Sequence, residues 1–284
     1  MIHIVTDSAA QFTKPLYVKQ HPVTILPNKL TIGDKVYREG EDIPHERALD
    51  AIARQGTPPT LTTPSVEEYA ALYAQLARTH EAIISIHASR EMYSNWQNAS
   101  LAAQQIDKVH VVDSQVTCVA LGMLVQVALQ AVDAGKSADE VVRIVRGAAE
   151  RVFSMYYVET VDYLHHHHIL TPSHSILGAM LGVKPLLGLE NGRLVPTEKM
   201  KTRVQGVERL VEFAVEFTDV EDAVIVQPKT TATEYTRQLQ ERLALDFPDR
   251  TFPVMVYSAS LGALIGTDAL GIVILEEEMP DYDY

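Results

Sequence analysis

Short apolar runs and amphipathic stretches alternate along this chain, and their periods predict an α/β fold. Ile2-His3-Ile4-Val5-Thr6 and Val109-His110-Val111-Val112 are β-branched runs that each end in Asp-Ser, at Asp7-Ser8 and Asp113-Ser114. A buried parallel strand looks like this where it empties into a loop, because Asp and Ser favour turns and caps over strand interiors. The pattern predicts strands at 2–6, 82–87 and 109–113 and helices at 45–55, 65–79, 94–106 and 119–134. Ser65 with Glu68, and Ser137 with Glu140, have capping-box spacing, and the second pair starts a helix running to about residue 153. Alternation of this sort builds βαβ units and a mostly parallel sheet. Ligands of open α/β sheets collect beyond the carboxyl ends of the strands, so the two Asp-Ser turns mark a face to search.

The texture changes near residues 155–160. Residues 185–197 predict a hairpin turning at Asn191-Gly192, followed by a helix near 203–217, a strand at 223–227, a helix at 231–245 and strands at 253–257 and 271–275. The expectation is a two-domain α/β protein. Residues 1–157 form an N-terminal domain with a mostly parallel sheet and flanking helices, residues 158–284 form a smaller C-terminal α+β domain, and a ligand cleft lies between them. Residues 28–43, around Gly33-Asp34, are expected to make a flap or small hairpin over that cleft, and the acidic tail at 276–281 is expected to fray.

Composition narrows the function more than the fold. The 284 residues can bury a sizeable core, and a net charge of −13 argues against non-specific binding to nucleic acid or anionic lipid surfaces. No apolar stretch reaches the ~20 residues that span a bilayer, and no secretory leader precedes Ile2. Cys118, the single cysteine, can form neither an intrachain disulfide nor a cysteine-based zinc site, so a cytoplasmic protein without integral membrane association is expected. Its place in the apolar stretch Val116–Leu124 marks it as core, not nucleophile. Neither Asp-Ser pair is followed by a Gly-x-Ser-x-Gly elbow or an orienting histidine, which leaves strand-end capping as their role. The run His165-His166-His167-His168 reads as a surface loop, because consecutive side chains point apart and seldom share one metal. With no nucleophile, acid/base pair or phosphate loop legible, no catalytic residue, metal or cofactor is expected.

Several segments, in order, carry a resemblance. They are Ile4-Val5-Thr6-Asp7-Ser8; Leu61-Thr62-Thr63-Pro64-Ser65, against Thr-Ser-Gln-Pro-Ser; and Ser85 through Ala99, against Ser-x-x-x-Ser…Ser-Gly-Thr-Tyr-Gln-x-Ala. Val112-Asp113-Ser114 followed by Gly122, Leu181-Gly182-Val183-Lys184-Pro185-Leu186, Glu198-Lys199-Met200-Lys201-Thr202-Arg203 and Ala269-Leu270-Gly271 complete the set. By these the chain resembles the DegV family of FakB-like fatty-acid-binding proteins. The resemblance implies a two-domain α/β protein that buries one long-chain fatty acid between its domains and presents the carboxylate to a kinase, itself catalysing nothing.

At the head-group positions the chain departs from that family. The Thr of Thr-Ser-Gln-Pro-Ser falls on Leu61, the Ser of Ser-Gly-Thr on Tyr93, and the His of His-x-Gly-Pro-Gly on Leu264. The three polar side chains that the resemblance assigns to the carboxylate are thus Leu, Tyr and Leu. Thr62, Ser94, Asn95, the Tyr93 hydroxyl and the amides opening helix 94–106 are the expected substitutes. The family's Lys-Lys-Gly-Gly-Arg falls on the histidine run, with the Arg at Ile169, which weakens the case for kinase docking. Lys199, Lys201 and Arg203 alternate along an expected strand and share one face, suited either to docking a partner or to plain solvation. Two functions follow: a fatty-acid carrier serving a kinase, or a same-fold binder of a neutral apolar ligand, as Leu61 and Leu264 favour.

Overall fold

A computed structural model describes residues 1–170 and 182–278. Leu181 of the expected Leu-Gly-Val-Lys-Pro segment and residues 279–281 of the expected frayed tail lie outside the described residues. Three sheets organise the chain. The first is parallel, in the order β2-β1-β6-β7, where β1 is Ile2–Asp7, β2 Val23–Leu26, β6 Ala82–His87 and β7 Val109–Asp113. Its register pairs Ile4 with Ile84 and Ser85 with Val111. Every residue of β6 is buried, as expected for a parallel strand covered on both faces. Helices Val66–Leu76 and Asn95–Ala103 cover one face, packing Tyr69, Tyr73 and Ala99 on Val5 and Ile83.

Helix Cys118–Asp133 covers the other face, and almost all of it is buried. A helix apolar all round must be enclosed on all sides, and this one packs against β1 and β6 of the first sheet and against strands Val152–Tyr157 and Leu270–Glu276 of another. That second sheet has six strands in the order β10-β9-β8-β13-β11-β12: β8 Val152–Tyr157, β9 Lys184–Glu190, β10 Arg193–Met200, β11 Val220–Gln227, β12 Val254–Val256 and β13 Leu270–Glu276. All its neighbours are antiparallel except β11 and β12. Ile4 and Ile84 of the first sheet and Val224 and Val273 of the second lie in one continuous buried cluster. The third sheet is small and antiparallel, β4-β3-β5, with β3 Lys29–Ile32, β4 Lys35–Arg38 and β5 Thr60–Thr62. It is the expected hairpin at Gly33-Asp34, extended by β5.

The differences from the sequence expectation have local causes. The helix opened by Ser137 stops at Ala149, because Val152–Tyr157 pairs with β13 and β9 and its tertiary partners override the helical period. The expected domain boundary after residue 157 therefore follows β8, a strand that already belongs to the six-stranded sheet. The expected hairpin at 185–197 is present, with Asn191 at φ 48° and Gly192 at φ 80°, both left-handed as a tight two-residue turn requires. Helix Ala259–Ile265 was not expected. Its seven residues Ala-Ser-Leu-Gly-Ala-Leu-Ile are all buried, so they show no amphipathic period to read.

Candidate functional site

The residues that line the candidate ligand site come from four separated segments, three of them expected. β5 supplies Leu61, and the loop entering helix Asn95–Ala103 supplies Met92, Tyr93 and Ser94. Helix Ala259–Ile265 supplies Leu264, and the short helix Asp162–His166 with the residue after it supplies His166 and His167. Together with Pro59, Thr60 and Thr63 they enclose a cavity of about 300 Å³. A second cavity of about 420 Å³ shares Met92, His167 and Leu264 with the first and continues along Leu194, Val195 and Pro196 of β10. Both volumes fall in the range of small-molecule sites.

Of the expected ligand residues, Leu61, Tyr93, Ser94 and Leu264 meet at the first cavity. Thr62 does not: it is exposed and lines neither cavity, and Thr63 lines the first one instead. Asn95 is fully enclosed beneath it, donating from Nδ2 to Asn28 Oδ1 at 2.9 Å and to the Tyr69 hydroxyl at 3.3 Å. Tyr93 is 5% exposed, and its oxygen accepts from Thr117 Oγ1 at 3.2 Å, so its own proton is available to another acceptor. Burial pushes its ionisation well above the usual tyrosine range, which keeps the hydroxyl a neutral donor. Ser94 is exposed at the start of helix Asn95–Ala103 and makes no side-chain capping bond.

The cations arrange themselves differently from the expected strand face. β10 ends at Met200, so Lys199 is on the strand, Lys201 in the following turn and Arg203 on the next helix, Arg203–Val215. Lys199 and Lys201 are exposed. Arg203 is committed: its guanidinium bonds Glu159, which also holds Lys184, and lies 4.9 Å from the Tyr235 ring centre. Near the cavities, Arg193 Nε donates to Glu91 at 2.7 Å, and the two charges offset each other.

Two buried polar networks escaped the sequence analysis. Asp7 does meet an orienting histidine, which corrects the expectation: His87 Nδ1 lies 3.0 Å from Asp7 Oδ2, Ser85 Oγ 2.7 Å from His87 Nε2, and Tyr73 donates to Ser85 at 2.7 Å. The order resembles a serine-hydrolase relay, yet Asp7, Ser85 and His87 are each 0% exposed and line none of the cavities described. Its role is to fix β1 to β6. His87, two residues beyond Ser85 in an otherwise apolar strand, was the legible signal. The second network centres on Glu39, a buried carboxylate that accepts from Ser8 Oγ at 2.7 Å and from the Ser260 amide at 2.7 Å. It ties the hairpin to the β1 turn and to helix Ala259–Ile265, and so positions Leu264. Both Asp-Ser turns also cap as expected, Asp7 accepting from the Ala9 amide and Asp113 from the Gln115 amide, each at 3.1 Å. Cys118 is enclosed, with burial pushing its thiol up to about 11, as expected of a core cysteine. Among the described residues no group of His, Cys, Asp and Glu is arranged to hold a metal ion.

Comparison with known proteins covers nearly the whole chain. A family profile described as uncharacterised protein, DegV family, matches residues 1–277. A DegV domain-containing protein of Streptomyces coelicolor is 30% identical over 276 residues, covering 96% of this chain and 98% of that one. The crystal structure of DegV, a fatty acid binding protein from Bacillus subtilis, is 25% identical with a TM-score of 0.84, covering 97% of this chain and 99% of that one. A fatty acid binding DegV family protein from Streptococcus agalactiae, 22% identical and covering 98% and 99% of the two chains, shares the fold at a TM-score of 0.87. This chain belongs to the DegV family.

Proposed function

We propose that this protein is a non-catalytic carrier that holds one long-chain fatty acid in the cleft between its sheets and presents the carboxylate to a kinase. The observation that carries this is the convergence of Leu61, Tyr93 and Leu264, from three distant segments, on one cavity. The Bacillus subtilis relative, described as a fatty acid binding protein, supports it. Each buried methylene contributes about 0.8 kcal/mol, so the acyl chain supplies most of the affinity. The carboxylate must find donors, because an unpaired buried anion is costly. The Tyr93 proton and the exposed Ser94 are suited to that. We take the halves flanking the cleft to be residues 1–157 and 158–284, the protein to be cytoplasmic, and exposed Lys199 and Lys201 to meet the kinase; no helix among the described residues is long and apolar enough to cross a membrane.

Leu61 and Leu264 favour a second reading, a neutral apolar ligand. Native mass spectrometry of protein purified without added lipid separates the two. A co-purified fatty acid of about 14–18 carbons is expected. A neutral lipid, or protein that binds no added fatty acid, would overturn the carrier reading. Tyr93→Phe is expected to weaken fatty-acid binding by roughly tenfold to a hundredfold, the worth of one hydrogen bond to a charged group.

A further inference from the structure

One ring nitrogen of a residue in the wall of this cleft has no partner among the described residues. Helix Asp162–His166 ends in a tight turn in which the Ile169 amide donates to the Leu164 carbonyl at 2.8 Å. His168 takes the left-handed position of that turn, at φ 57°, where glycine is usual. The turn lays His167 beside the Ala263 carbonyl of helix Ala259–Ile265, and His167 lines both cavities where they meet Met92 and Leu264. Its Nε2 is closed off from solvent and has no hydrogen-bond partner among the described residues. Buried polar atoms in folded proteins are nearly always paired, so this one marks a place where a partner is missing.

The surrounding charges leave the position open to an anion. On its own segment His167 is flanked by His166 and His168. Across the cavities stand Glu91 and Arg193, which are paired with each other, and Tyr93. Helix Ala259–Ile265 brings no charged side chain, and the β5 side brings Thr60 and Thr63. Among the described residues lining the two cavities, no uncommitted lysine or arginine is present.

We propose that His167 binds the head group in this cleft, donating a charge-assisted hydrogen bond from Nε2 to the carboxylate of the fatty acid. This rests on the fatty-acid reading above and names the residue that replaces polarity lost at Leu61 and Leu264. Burial, and then the neighbouring His166, holds the unliganded ring below the usual imidazole range, so it is neutral at neutral pH. A carboxylate against it favours the protonated ring, so binding takes up a proton, and affinity for the acid falls as pH rises.

The test measures binding of palmitic acid and of 1-hexadecanol to the intact protein between about pH 6 and about pH 8. Wild type is expected to bind the acid with affinity falling about tenfold across that range, and the alcohol with no such slope. His167→Gln is expected to weaken the acid about tenfold at the lower pH and to abolish the slope, leaving the alcohol unchanged; His165→Gln, at an exposed position of the same run that lines neither cavity, is expected to change neither. His167→Phe, which keeps a ring in the turn, serves if His167→Gln melts lower than wild type. Wild-type affinity and slope in the His167 variants would overturn this proposal while leaving the carrier reading standing. Failure of wild type to bind the acid at all would overturn both.

Discussion

Gly122 and Gly147 both lie inside helices of this protein, and the structure predicts opposite outcomes for the same substitution. Gly122 sits in helix Cys118–Asp133, where the loop after β1 crosses it: a Cβ there would overlap the Gln11 carbonyl oxygen and stand 2.6 Å from its carbon. Gly147 sits in helix Ala138–Ala149 with nothing within 4 Å of an added Cβ. Helix propensity favours alanine over glycine by about 1 kcal/mol at both. At Gly122 the backbone contact must open by more than ~1 Å to reach van der Waals distance, an overpacking that costs about 1–3 kcal/mol or more. Opening it also stretches the bond from the Gln11 amide to the Cys118 carbonyl, 3.1 Å long, at a further cost of about 1 kcal/mol. The clash wins. Gly122→Ala is expected to lose about 2–3 kcal/mol net and roughly 5–10 °C in Tm by calorimetry, and Gly147→Ala to gain about 2–3 °C. A Gly122→Ala protein melting at or above wild type would refute the reasoning, because backbone, unlike a flexible side chain, has no rotamer to escape into.

Three further outcomes test the buried polar groups. Asp7→Ala strands three donors, His87 Nδ1 at 3.0 Å and the Ala9 and Ala88 amides at 3.1 Å each, and should destabilise by about 3–5 kcal/mol; a urea midpoint within error of wild type would show the network idle. His3, 8% exposed, is pushed down to about 4 by burial and then by His80. The unfolded chain therefore binds the proton more readily, so about 2–3 kcal/mol of stability present above pH 6.5 is lost as pH falls towards 4; His3→Asn should flatten that part of the stability–pH curve, and an unchanged slope would remove His3 as its source. His168→Gly relieves the left-handed φ of 57° and should raise stability by roughly 0.5–1 kcal/mol, whereas a loss of that size in thermal melting would show the His168 side chain to be a net contributor.

Local patterns were legible because they need only neighbours in sequence. The capping boxes at Ser65 and Ser137 are formed as read, the Asn191-Gly192 turn follows from two left-handed residues in succession, and β1, β6 and β7 follow from β-branched runs. Some short elements were not legible. β2 and β5 have four and three residues, and Val152–Tyr157 continues a helix in sequence while its partners β13 and β9 are distant. Helix Ala259–Ile265 is buried on every side and so shows no period.

The sequence by itself determined the α/β class, the family pattern and the residues Leu61, Tyr93 and Leu264 where that pattern changes. Only the tertiary structure decided which polar groups meet. It enclosed Asn95, left Thr62 exposed, engaged Arg203 with Glu159, joined Asp7 to His87, and brought His167 from a run that reads as solvated loop to the wall of the cleft. The physical reason is that strand and helix periods are encoded over a few residues. Hydrogen-bond partners 80 residues apart, as Asp7 and His87 are, come together only when sheet register and helix packing have fixed where each backbone runs.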